Sequence, residues 1–94
     1  MSADRVRTHI KISGDVQGVF FRANTKKLAD SLNLVGFVKN TEDGKVEIIA
    51  EGKKQDLEIL IEFCKKGPEG AKVEKVEIKY TSTKKEYEEF KIFF

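Results

Sequence analysis

The sequence has no tryptophan and only one each of histidine, cysteine, proline and methionine. With Cys64 alone, an intrachain disulfide and a cysteine-pair metal motif are both excluded, and a reducing compartment such as the cytosol is the expected location. His9 alternates with Arg7 and Lys11, which places it on the exposed face of a strand and leaves Ser-His or Cys-His catalysis without support. No carboxylate cluster has metal-ligand spacing, so no metal is expected. Long apolar runs are also missing. The densest, Ile59 to Cys64, is interrupted by Glu62, which argues against a membrane span. The start, MSADRVRTHIKIS, lacks the apolar stretch of a secretory signal. Neither charge sign dominates. Eighteen Lys and Arg against 16 Asp and Glu leave a net charge of +2, too small a bias to predict nucleic-acid or membrane binding.

What is present suits one small domain. The chain has 94 residues, and its 39% hydrophobic content is enough to expect a folded core across residues 1–94. Val6, Thr8, Ile10 and Ile12 alternate as a half-buried strand. Phe21, Thr25, Leu28, Ala29 and Leu32 recur at helical spacing, which predicts a helix from about Arg22 to Leu32, stopped by a left-handed Asn33. GFVKN at Gly36 to Asn40, the turn TEDG, and the alternating Val46, Ile48 and Ala50 read as a hairpin, with Gly44 at positive φ. Gly52 closes that strand. Leu57, Leu60, Ile61 and Cys64 share a second helical face, which makes Cys64 a core residue, and Lys65, Lys66 and Gly67 end the helix.

After the turn GPEG, Val73, Val76, Ile78 and Tyr80 form a fourth strand. Its parity shifts between Val73 and Val76, which a bulge or a late strand start explains. Phe90, Ile92 and Phe94 alternate as a short last strand. The order is βαββαβ plus a C-terminal strand, an α+β, ferredoxin-like split βαβ sandwich: an antiparallel sheet with two helices on one face. This fold hosts enzymes, small-molecule sensors and RNA binders, so architecture alone assigns no function.

Chemistry concentrates in GDVQGVFFR, at Gly14 to Arg22. Gly14 and Gly18 have the wrong spacing for a dinucleotide fingerprint, and no Lys-Ser/Thr follows as in a Walker A loop. The stretch does join a strand to a helix N-terminus, where unpaired N–H groups and the helix dipole favour an anion. Arg22 would add a bidentate grip on phosphate oxygens. Spacing leaves open the plainer reading, a strand-to-helix turn with Arg22 in solvent. Asn40, at the end of the second strand, is either a polar residue capping the TEDG hairpin or an amide that holds a water near the first loop.

These blocks closely resemble the acylphosphatase family. GDVQGVFFR fits its G-x-V-Q-G-V-x-F-R, and GFVKNTEDGKVE at Gly36 to Glu47 is similar to its G-W-V-x-N-x-x-D-G-x-V-E. Thr25, Ala29 and Leu32 match its first helix, and GPEGAKVEKV at Gly67 to Val76 its later G-P-x-x-A-x-V. Phe37 stands where many members carry Trp. The resemblance implies an enzyme that hydrolyses the carboxyl-phosphate bond of acyl phosphates to a carboxylate and inorganic phosphate, without metal or organic cofactor. It implies that Arg22 binds the phosphate together with backbone N–H groups of Asp15, Val16, Gln17, Gly18, Val19 and Phe20, and that Asn40 orients the attacking water. Val19 and Phe21 are then expected to anchor the loop in the core. The expected partners are the substrate and product alone, with no nucleic acid and no membrane, and the expected state is a monomer. Two alternatives on the same fold are an RNA-binding domain and a non-catalytic small-molecule-binding domain. The RNA reading wants aromatics on the third strand, where KVEIIAEG has none.

Overall fold

Alternating apolar residues make β1 (Arg5–Asp15) half-buried, and its length lets it pair on both sides. The computed structural model describes residues 5–93. After β1 come α1 (Phe21–Ser31), β2 (Val35–Asn40), β3 (Val46–Lys53), α2 (Lys54–Lys66), β4 (Lys72–Ser82) and β5 (Phe90–Phe93). The strands form one sheet in the order β4-β1-β3-β2-β5. Each helix thus joins two strands with a third inserted between them, which is the split βαβ topology expected. Ile10, Ile12, Val38, Val46, Ile48 and Ala50 from the sheet, with Phe21 and Ala29 of α1 and Leu57, Leu60 and Cys64 of α2, make one buried core.

Local signals hold residue by residue. Asn33 has φ 57° and stops α1, and Gly44 has φ 88° in the β2–β3 turn. The parity shift in β4 is a bulge. Ser13 pairs with Lys75 but Gly14 pairs with Val73, so Glu74 is the extra residue. Gly14, at φ 130°, sits opposite this bulge, and a Cβ there would lie against the Lys72 carbonyl oxygen. Only glycine fits so close an approach, and the kink it permits is where β1 turns toward the loop. Burial pushes the Cys64 thiol up to about 12, consistent with an unreactive core residue.

The direction of β5 departs from expectation. It pairs parallel to β2, with Gly36 opposite Phe90 and Lys39 opposite Phe93, so the sheet is mixed. The cause is topological. β4 ends where β1 and β2 begin, and residues 83–89 cross the sheet at that end before turning back into it. The crossing covers four inter-strand steps, about 19 Å. A strand entering from there must run the way β2 runs. Phe94, assigned to this strand by alternation, lies outside the described residues.

A buried carboxylate fastens the crossing segment. Glu51 accepts Arg7 Nε at 2.8 Å, the Lys84 N–H at 3.0 Å and the Thr83 hydroxyl at 3.2 Å, while Arg7 Nη2 reaches Glu86 at 2.7 Å. Burial alone raises the Glu51 pKa, but the Lys84 N–H, Arg7 and the Thr83 hydroxyl outweigh it and hold it below the ordinary 4.5. With a lowered native pKa, the unfolded chain takes up the proton first. Stability is therefore full above the unfolded value and drains away as pH falls through the native one. In Glu51→Gln, the urea midpoint should drop less between about pH 5 and pH 3 than in the unmodified protein. An equal drop in both would show that Glu51 does not carry the acid sensitivity.

Candidate active site

β1 and β2 both run antiparallel to β3, hence parallel to each other, and their C-terminal ends meet at one end of the sheet. Val46 opens β3 there, paired with Ile12 on one side and Asn40 on the other. The parallel β5 adds its own C-terminal end, with Ile92 and Phe93. A cavity of about 290 Å³ opens at this place, lined by Val16, Gly18, Phe20, Phe21, Arg22, Ala23, Asn40 and Ile92. Arg22 and Asn40, 18 residues apart in the sequence, thus share one cavity, and among the described residues Arg22 is the only charged one lining it. Arg22 Nη1 donates to the Phe93 carbonyl at 3.2 Å, which ties the guanidinium to β5.

The loop is organised by its ends. Asp15 is still in β1, paired with Lys72, so the connection proper is residues 16–20. Val16 is fully buried and holds the loop to the core, and Val19, expected in that role, is partly buried and packs against the same core. Phe21 is buried as expected, edge-on to Phe63 at 5.6 Å. Gly18 takes φ 76°, and a Cβ there would meet open space, so its constraint is the backbone turn and not crowding. Phe20 precedes α1 at φ 61°, a left-handed conformation, and its carbonyl accepts both the Asn24 N–H at 3.0 Å and Asn24 Nδ2 at 2.9 Å.

Helix α1 has no side-chain N-cap and no acidic residue in its first turn. The first helical bond belongs to Asn24, so the N–H groups ahead of it have no intrahelical acceptor. They lie where Arg22 and Ala23 line the cavity. A helix end without a side-chain cap and a guanidinium on one cavity are an arrangement suited to an anion such as phosphate.

Sequence reasoning missed three contributors. Ile92 and Ala23 line the cavity, and neither belongs to a recognisable motif. The third is the Gln17 side chain, whose only signal was its place in the V-Q-G core of the block. Gln17 Nε2 donates to the Thr41 carbonyl at 2.9 Å and to the Lys45 carbonyl at 2.9 Å. Those carbonyls belong to the turn that follows Asn40, which is closed by Thr41 N–H to Lys45 O at 2.9 Å and by Thr41 Oγ1 to Asp43. Gln17, Asp15 and Val19 do not themselves line the cavity. His9 lies elsewhere, bonded to Glu47 at 2.6 Å. Among the described residues, no three His, Cys, Asp or Glu side chains gather as a metal site, and no helix is long and apolar enough to cross a membrane.

Residues 8–92 match the model of the acylphosphatase family. The chain belongs to the acylphosphatase family. It is 44% identical over 85 residues to an acylphosphatase of Marinobacter nauticus, covering 90% of this chain and 92% of that one. It is 42% identical over 90 residues to an acylphosphatase of Pyrobaculum islandicum, covering 95% of each. Its fold superposes on the crystal structure of acylphosphatase from Bacillus subtilis with a TM-score of 0.90 at 35% identity, covering 95% and 99% of the two chains.

The Gln17 bonds permit a direct test of loop geometry. Gln17→Ala removes both and should cost about 1–2 kcal/mol in urea unfolding. Gln17→Glu should cost more, because a carboxylate would face two carbonyl acceptors with nothing to donate. A Gln17→Glu protein as stable as the unmodified one would refute the clamp.

Proposed function

We propose that this cavity is where the enzyme hydrolyses acyl phosphates, with the phosphoryl group held by Arg22 and by N–H groups of residues 16–20 and the α1 N-terminus. The observation that carries the reading is the placement of one guanidinium, one uncapped helix end and one strand-end carboxamide on a single cavity. The products are a carboxylate and inorganic phosphate. Arg22 grips two phosphoryl oxygens with its planar fork, which a lysine cannot copy. Asn40 aligns a water in line with the departing carboxylate.

Phosphoryl transfer passes through a loose transition state, so positioning the water and matching the charge on the equatorial oxygens supply most of the acceleration. The water oxygen bonds to phosphorus as the bond from phosphorus to the acyl oxygen breaks. The carboxylate leaves with the electron pair, and a proton of the water passes to a phosphoryl oxygen. A carboxylate, whose conjugate acid has a pKa near ~4.3, leaves without a proton donor. His9, away from the cavity, has no part in this. The reading includes a reaction independent of metal, a monomeric state, and a location in the cytosol.

Arg22→Ala should lose about 3 kcal/mol of transition-state stabilisation, roughly a hundredfold in kcat/KM, and Arg22→Lys should not restore it. A lysine variant with near-normal efficiency would remove the bidentate role. Asn40→Ala should lower kcat by about 10²–10³-fold while inhibition by inorganic phosphate stays close to unchanged. Loss of phosphate inhibition in that variant would instead place Asn40 among the phosphate ligands. With acetyl phosphate and glycerol phosphate side by side, only the first should turn over, chelator should change nothing, and His9→Gln should keep the rate. Comparable turnover of glycerol phosphate would reveal an acid catalyst, since an alkoxide with a conjugate acid near ~15.7 cannot leave unaided.

A further inference from the structure

β4 is the long free edge of the sheet. It pairs with β1 on one side and with no strand on the other among the described residues, and it runs for 11 residues, whereas β5, the opposite edge, has four. A long edge offers a row of unpaired N–H and C=O groups to another strand, and proteins blunt such edges with lysines, a bulge or shortness. The bulge here sits at Glu74, near the start of β4, and from Lys75 to Ser82 the pairing with β1 is unbroken. Nor do lysines alone guard that stretch, because Glu77 stands between Lys75 and Lys79. On the other face Val76, Ile78 and Tyr80 alternate. Val76 and Ile78 pack against the core but stay partly exposed, and Tyr80 is 41% exposed. Ile78 and Tyr80 border an open groove of about 450 Å³ beside α2.

This stretch is complementary to itself. We propose that two copies of the chain pair reversibly through β4, antiparallel, about a two-fold axis at Ile78, which joins two five-stranded sheets into one. In that register Ile78 meets Ile78, Val76 meets Tyr80 and Glu77 meets Lys79, the last two pairs each occurring twice. Neighbouring registers fail. Centred on Glu77, carboxylate meets carboxylate and Lys75 meets Lys79; centred on Lys79, lysine meets lysine. Centred on Val76, Ile78 meets Glu74 of the bulge and Tyr80 meets Lys72. The exposed ion pairs thus select the register more than they add affinity. A single strand edge is at the small end of specific interfaces, which makes the association weak and reversible. No described residue of β4 lines the cavity, so each chain keeps its own site and the single chain remains the active unit.

Sedimentation velocity on the full chain tests the pairing. The unmodified protein should be monomeric when dilute and shift toward dimer as its concentration approaches about 1 mM. Glu77→Lys sets lysine against Lys79, and Lys79→Glu sets glutamate against Glu77, so each variant alone should lose about tenfold in dimer affinity. Mixed in equal amounts, the two variants should pair with each other, because every facing pair again holds one lysine and one glutamate. A misfolded variant does not regain pairing in this way. A protein that stays monomeric at every concentration leaves the edge to a strand of another protein and overturns the pairing of copies. A dimer that neither substitution weakens, or two variants that stay apart when mixed, overturns the register at Ile78 and the proposal with it.

Discussion

Val46 is the residue on which the site hangs. It pairs with Ile12 and with Asn40, so it fixes the ends of β1 and β2 on either side of one strand, two inter-strand steps apart. Loss of register by one residue would turn every side chain of a strand to the other face and remove Asn40 from the cavity. The register is well defended. Ile48 and Ala50 of β3, Ile10 of β1 and Val38 of β2 are fully buried, so a slip would expose the middle of the core. The hydrophobic core and the geometry of the site are therefore set by the same pairings. Gln17 adds a second tie, from the loop after β1 to the turn after β2, across the mouth of this arrangement.

The strand directions do the rest. Three strands, β1, β2 and β5, run the same way, and each contributes its C-terminal end to one cavity. The first gives the loop, the second Asn40 and the third Ile92 and the Phe93 carbonyl that holds Arg22. This third contribution depends on residues 83–89 crossing the sheet, and that crossing is fastened by Glu51 and Arg7 at the opposite end of the strands. Glu51 never touches the cavity, yet it fixes the path of the segment that delivers β5.

Much of this was legible in the sequence because the signals are local. Alternation marked the strands, helical spacing marked α1 and α2, and Asn33 and Gly44 marked turns that only residues tolerant of positive φ occupy with ease. Arg22 and Asn40 were legible as chemistry, and the βαββ order was enough to bring their elements together. The pieces that were not legible depend on the path of the chain in space. Nothing local in Phe90–Phe93 distinguishes a strand parallel to β2 from one antiparallel to β4. Val16 and Val19 are the same residue type in one short loop, and their different depths, Val16 fully buried and Val19 packed against the core but partly exposed, depend on how the kink at Gly14 aims the chain. The amide of Gln17 could be read as a motif letter, but its two acceptors lie 24 and 28 residues away.

The two helices show what the site costs the fold. α2 obeys the dipole rule, with Asp56 in its first turn and Lys65 and Lys66 in its last. α1 obeys none of it. It has no capping side chain, no acidic residue at the start and no basic residue at the end, and it begins after a phenylalanine in a left-handed conformation. A serine or aspartate at the cap would typically add about 1 kcal/mol to a helix of this kind. It would do so by bonding N–H groups of the first turn, beside the cavity that Arg22 and Ala23 line, and an aspartate would also set a negative charge where the proposed function places an anion. The missing cap and the missing acid are thus two sides of one requirement. On the proposed function, the α1 N-terminus lacks a side-chain cap because a substrate anion takes that place, and the local rules of helix design fail where that chemistry needs them to fail.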